Sequence, residues 1–176
     1  MKRTPLKKKT RLKSKTQLKA KTPLKAKTSL RAKTPMKRRK STPYALMKKK
    51  AWSVFSLYIR LKYADKDGYV TCVTCGKKMK WNEAQAGHAI GGRTNSILFH
   101  EELVYPQCAG CNIFKAGNYG EYILFLIDKL GRDRVDELRK LSRETKTVTL
   151  EEVTNIHLYY TKKVDELADK IKNFKV

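Results

Sequence analysis

This sequence predicts an α+β protein: a small core stapled by a metal, helices on both flanks, and a basic arm ahead of it that does not fold. Three observations carry that expectation. The four cysteines fall in two Cys-x-x-Cys pairs, Cys72–Cys75 and Cys108–Cys111, a spacing that points in a reducing compartment to a bound metal before a disulfide. Short stretches near the pairs read as strands, whereas segments before and after repeat their apolar residues at three and four, as helices do. The charge is lopsided as well: 23 of the 41 Lys and Arg lie between Met1 and Ala64, where there is no acid, leaving 18 basic residues against 16 acidic ones.

The arm comes first. Threonine recurs at Thr4, Thr10, Thr16, Thr22, Thr28 and Thr34, followed two residues later by Leu6, Leu12, Leu18, Leu24, Leu30 or Met36 and then by a basic residue. Leucines at that period would spiral around a helix, and Pro5, Pro23 and Pro35 oppose a helix or a central strand. One large apolar residue per repeat cannot offset the entropy of ordering. Residues 1–43 are therefore expected to be extended and disordered. Their charge selects a polyanion, with nucleic acid first, because Lys and Arg release condensed counterions when they meet phosphates. The arm lacks the aromatic and leucine face of an interfacial helix. No apolar run suits a membrane span, and no apolar signal segment opens the chain. No membrane role is expected, and the expected location is cytoplasmic.

Next, Tyr44 to Tyr63 reads as a helix. Trp52, Phe55 and Ile59 form its stripe, with Leu46 ahead of them and Lys62 opposite, and Lys48, Lys49 and Lys50 add positive charge on its first turns. Asp67-Gly68 makes a turn. Tyr69–Thr74 and Gln85–Ile90 read as short strands. Tyr122–Leu130 is a helix closed by Gly131, and Arg132–Arg143 is another. Thr149 with Glu152 makes a capping box for a long amphipathic helix through Leu150, Val153, Ile156, Tyr160, Val164, Leu167, Ile171 and Phe174. That helix either packs on the core or forms the seam of a homodimer. The expected division is an arm at 1–43, a core at 44–131 and a helical C-terminal region at 132–176.

The chemistry concentrates around the cysteines. Two knuckles complete a tetrahedral four-sulfur site, which suits zinc and leaves no open position, so this zinc is structural. Gly76 and Gly110 are expected to supply the tight turns of the knuckles. Between the knuckles lies Ala86-Gly87-His88 at the end of a strand, then the loop Gly91–Asn95; Asn112 follows the last cysteine directly. A histidine titrating near neutrality can deprotonate water for in-line attack on phosphorus. A hard cation, Mg or Mn, would bind the scissile phosphate, with Asn112 offering an oxygen. Lys115, Arg93 and Lys48–Lys50 are the candidate DNA contacts.

On these residues the segment 70–131 resembles the phage NinG (Rap) recombination proteins, structure-specific nucleases of the HNH, or ββα-metal, superfamily. The resemblance runs through Cys72-Val-Thr-Cys75-Gly76, Gln85-Ala86-Gly87-His88, Arg93-Thr-Asn95-Ser96, and Leu98-Phe99-His100-Glu101-Glu102. It continues through Pro106-Gln107-Cys108, Cys111-Asn112-Ile113-Phe114-Lys115 and Gly117-Asn118. The paired knuckles are also similar to those of phage endonuclease VII. The resemblance implies a His base at His88, a catalytic-metal ligand at Asn112, and cleavage of branched recombination intermediates (Holliday junctions, D-loops, flaps) in the bacterial host. Two positions depart from the pattern. Many HNH enzymes have an Asp before the base, where this chain has Gly87, which leaves Asn95, His100 and Glu102 as candidates for the second ligand. The Asn usual five residues before the third cysteine is Leu103. The competing reading is a zinc module that binds nucleic acid without cutting it; His88 and Asn112 argue against it, because a binding finger needs neither.

Overall fold

Thr42 starts the first helix by accepting a hydrogen bond from the Ala45 N–H at 3.2 Å, and Pro43 takes the first helical position, where its missing N–H costs nothing. The computed structural model describes residues 41–91 and 94–169. The chain divides into Met1–Arg38 and Arg39–Val176, and all of the described residues belong to the second unit. Residues 1–40 of the arm expected at 1–43, with Arg93, Ile171 and Phe174, thus lie outside them, whereas Pro43 already belongs to the first helix.

Helix α1 spans Pro43–Lys62 and buries Ala51, Phe55, Tyr58, Ile59 and Leu61. Leu46, expected in the apolar stripe, is half exposed; the buried face begins one turn later, at Ala51. Strands β1 (Tyr69–Thr71) and β2 (Lys78–Lys80) pair antiparallel, with Val70 opposite Met79. Strands β3 (Gln85–His88) and β4 (Val104–Gln107) form a second, separate antiparallel pair, with His88 opposite Val104. Both strands read from the sequence are shorter here, ending at Thr71 and His88 rather than Thr74 and Ile90. Pro106 sits inside β4 at no cost to the ladder: its carbonyl accepts the Val73 N–H at 3.1 Å, on the side away from β3, so the absent N–H would not have faced β3 either.

A single π turn, Gly110–Phe114, leads into helix α2 (Tyr119–Leu130), which starts three residues earlier than its apolar pattern suggested. Gly131, at φ +81°, ends it and opens α3 (Arg132–Leu141). Helix α4 (Leu150–Ala168) begins with the expected capping box: Thr149 N–H donates to Glu152 Oε2 at 2.7 Å, and Glu152 N–H donates to Thr149 Oγ1 at 3.1 Å. Its main neighbour is α1, where the Tyr160 ring lies 4.8 Å from Phe55 and 5.0 Å from Tyr58. The buried face of α4 is therefore covered by its own core, the alternative the apolar period alone could not choose. Glu101 cross-links the two helices, accepting from Tyr58 at 3.0 Å, Lys62 at 2.6 Å and Tyr160 at 3.1 Å. Burial alone would raise its carboxyl; Lys62 and the two phenols outweigh that and hold it below the ordinary range. The result is a mixed α+β fold with two small sheets, its main core running from Phe55 and Ile59 through Leu103 and Val104 to Tyr122 and Leu126.

Candidate functional site

The cysteines converge as their spacing requires. Cys72 and Cys75 close the turn after β1, and Cys108 and Cys111 follow β4 directly; the four sulfurs lie within 4.8 Å of one another. A tetrahedron with Zn–S bonds of about 2.3 Å has S···S edges of about 3.8 Å, and Cys75 Sγ lies 3.8 Å from Cys108 Sγ. Four sulfurs so placed can hold a structural metal ion such as zinc. Without a cation they resist joint ionisation. Burial raises the Cys72 thiol, but bonds led by the Thr74 hydroxyl outweigh it and bring it down to about 6. The Lys77 N–H favours the Cys75 thiolate, yet burial and the neighbouring sulfurs push that thiol up to about 12. Beneath the sulfurs, among the described residues, Val70, Met79 and Ala84 add buried apolar side chains to the cluster, with Ala64 and Trp81 partly buried against it.

Gly76 takes φ +72° and turns the first knuckle as expected. Gly110 does not play the matching part. The left-handed residues fall later, at Ala116 (φ 48°), Gly117 (φ 93°) and Asn118 (φ 47°), because the π turn carries the chain past the sulfurs before it reverses into α2.

His88 ends β3 and is 7% exposed. The Trp52 ring stacks on it, with centroids 5.0 Å apart and 19° between planes. His88 Nε2 lies 3.1 Å from the Leu98 carbonyl. A carbonyl only accepts, so Nε2 carries the proton and, in the neutral ring, Nδ1 carries the lone pair. Asn112, inside the π turn, donates from Nδ2 to Gln85 Oε1 at 2.6 Å. His88 and Asn112 line one cleft of about 460 Å³, with Gly91, Ile113, Ala116, Gly117 and Tyr119. Among the described residues no carboxylate lines it.

The other sequence candidates lie elsewhere. Asn95 and His100 line a different cleft, of about 470 Å³, against α4. Asn95 is engaged there, accepting from Lys48 Nζ at 2.6 Å and donating to the Lys146 carbonyl at 3.1 Å. Burial lowers the His100 pKa, with Glu102 opposing. Glu102 itself accepts from Arg134 at 2.6 Å. Lys49, Lys50 and Lys115 are exposed, whereas Lys48 is half-buried.

Two residues that sequence reasoning missed organise the site. Tyr122 of α2 is fully buried. Its hydroxyl accepts the Tyr105 N–H at 2.8 Å and donates to the Gly87 carbonyl at 2.8 Å. Gly87 and Tyr105 face each other across β3 and β4, so the phenol is spliced into the rung beside His88. Gln107, also fully buried, donates to the Thr74 hydroxyl at 3.2 Å and the Gly117 carbonyl at 2.8 Å, tying the first knuckle to the turn after the second. A Cβ at position 87 would lie 2.0 Å from Gln107 Oε1. That is why a glycine precedes His88: the amide fills the space a side chain would need. The available signal was a glycine beside a candidate base; nothing in the sequence said what occupied its side.

Comparison with known proteins follows the same residues. The family model described as Bacteriophage Lambda NinG protein matches residues 1–170. Protein ninG of Salmonella phage P22 is 29% identical over 124 residues, covering 69% of this chain and 57% of the relative. Protein ninG of Escherichia phage lambda is 28% identical over the same length, with the same coverage. The chain thus spans little more than half the length of these curated relatives. No solved structure matches it. With nearly its whole length inside the family model, the chain belongs to the NinG family of bacteriophage proteins.

Proposed function

We propose that this chain is a metal-dependent endonuclease that cuts branched phage DNA, such as junctions, D-loops and flaps, within the bacterial host. It is built on an HNH-like ββα core with knuckles arranged as in endonuclease VII. One observation carries the reading: His88 and Asn112, brought by β3 and by the second knuckle, line the same cleft. The β3–β4 pair followed by a helix supports it. His88 is the general base. With Nε2 held as donor to Leu98, Nδ1 is the basic nitrogen; it is buried in this structure, so the cleft must open around the ring before Nδ1 takes the proton of the attacking water as its oxygen bonds to phosphorus and the opposite P–O bond breaks. Asn112 would hold Mg or Mn through its amide oxygen. Such an ion, when bound, offsets charge on the phosphate and leaving oxygen. Among the described residues Asn112 is the amide-oxygen donor of the cleft, and phosphate oxygens of the DNA would complete the set around such an ion. Lys115, Lys49 and Lys50 supply phosphate contacts, and the basic arm supplies affinity and reach.

A second reading, a zinc module that binds DNA without cutting it, is favoured by the deep burial of His88 and the missing carboxylate. The deciding experiment incubates labelled junction, flap and linear duplex with protein and Mg, Mn or EDTA. Cleavage of branched DNA with metal, absent with EDTA, is the expected result. DNA bound but uncut under every metal condition would overturn the nuclease in favour of the binding module.

A further inference from the structure

Beside the cleft stands a side chain that the fold makes no use of. Phe114 is 85% exposed and its neighbour Ile113 is 58% exposed, at the end of the π turn that begins beside Cys111 and carries Asn112. The backbone there is braced: Lys115 N–H donates to the Gly110 carbonyl at 3.0 Å, Ala116 N–H to the Ile113 carbonyl at 3.1 Å, and Gly117 N–H to the Cys111 carbonyl at 3.0 Å. The exposed ring is therefore mounted on a rigid base, a few residues from the proposed cutting residues. Its neighbours along the chain are uncharged or positive. No acidic residue occurs from Leu103 to Gly120, and Lys115 follows the ring directly. Ile113, the residue before the ring, lines the His88–Asn112 cleft, so the ring is mounted one residue from the cleft wall.

We propose that Phe114 is a wedge that stacks on an open base face at a DNA branch point. This rests on the reading above that the chain binds branched DNA, and it names the part that tells branched from linear. Aromatic rings stack on any base whose face is open, whatever its identity. In a continuous duplex that face is covered, and opening it means unstacking a base step. At a branch one face is already uncovered, so the same ring gains contact without that cost. Selectivity then comes from the shape of the DNA rather than its sequence, and the nearby cleft is set at a fixed distance from the branch.

The test uses full-length protein, zinc-loaded and without added Mg or Mn, so that binding is read apart from cutting. A four-way junction and a linear duplex of the same sequence each carry 2-aminopurine at the position that flanks the branch. Wild type should bind the junction and change its fluorescence, with no change on the duplex. Phe114→Ala should lose the fluorescence change and weaken junction binding about 5- to 100-fold, with duplex binding unaltered; Phe114→Trp should restore both. Equal losses on junction and duplex, or no loss on either, would overturn the wedge while leaving the DNA-binding reading intact. A change of oligomeric state in Phe114→Ala on size exclusion would overturn it in favour of a second copy of the chain on this surface. Failure of wild type to bind either DNA would instead overturn the reading on which the wedge rests.

Discussion

Two clefts of nearly equal size share no lining residue, about 460 Å³ around His88 and Asn112 and about 470 Å³ around Asn95 and His100. Volume does not choose between them; construction does. The first is walled by β3, the π turn and a run of left-handed residues, all tied to the cysteine cluster. The second is walled by the 95–100 segment, Lys146, Val148 and α4, and its Asn95 is held by Lys48 Nζ and by the Lys146 carbonyl. In the first cleft the two polar residues are engaged as well, His88 Nε2 with the Leu98 carbonyl and Asn112 Nδ2 with Gln85 Oε1, so what sets it apart is a wall of backbone turns beside the cysteine cluster. Residues that are neighbours in sequence, such as His88, Asn95 and His100, thus part company in space.

The comparison breaks most completely if the metal is removed. Structural zinc contributes on the order of 10–16 kcal/mol in small cysteine sites, and only a few apolar residues pack beneath the sulfurs here. Chelation is expected to unfold β1, β2 and the first cleft, with one zinc per chain lost, as read by elemental analysis and circular dichroism. Reduced protein that folds with no metal would defeat the account of that cleft. Next in size is the contrast between the two histidines. His88→Ala is expected to slow cleavage about 100- to 10,000-fold while DNA binding persists, and His100→Ala to leave the rate near wild type. The reverse ranking in single-turnover assays would exchange the roles of the clefts.

Tyr122→Phe tests the strand pair that carries His88 to the first cleft. It strands the Tyr105 N–H and the Gly87 carbonyl, and is expected to cost about 2–3 kcal/mol in urea unfolding; a change near zero would mean that the strands close the rung themselves. Glu101→Gln probes the clamp that joins α1 to Tyr160, a residue of the second cleft. The Glu101 carboxyl is depressed in the folded state, so its stabilisation is complete above the unfolded value near 4.3 and is lost as pH falls through the lower folded value. With zinc in excess, the variant should melt below wild type by an amount worth about 1 kcal/mol. That gap should hold constant from pH 8 to 5 and narrow only on further acidification. A gap that widens in acid would refute the clamp.

Much of this was legible beforehand because it is written locally or periodically. Cys-x-x-Cys twice, the Thr149–Glu152 box, the Gly131 stop and the apolar stripe of α4 each depend on spacing that a single segment carries. Leu46 misled because periodicity does not say where a helix meets the core. Strands β2 and β4 escaped notice because three or four residues, one of them Pro106, are too few to show alternation; pairing creates them. Gly110 misled because a knuckle can turn through a π turn as well as through a glycine.

The site divides along the same line. His88, Asn112 and the four cysteines could be named from residue type and spacing, since metal ligation and proton transfer each demand particular atoms. That His88 and Asn112 share a cleft while Asn95 and His100 share another follows only from how β3, the π turn and α4 pack. The same holds for Gln107 filling the side of Gly87 and for Tyr122 entering the strand pair. These are contacts between residues far apart in the chain, set by which volumes the core leaves empty, and no local pattern records them.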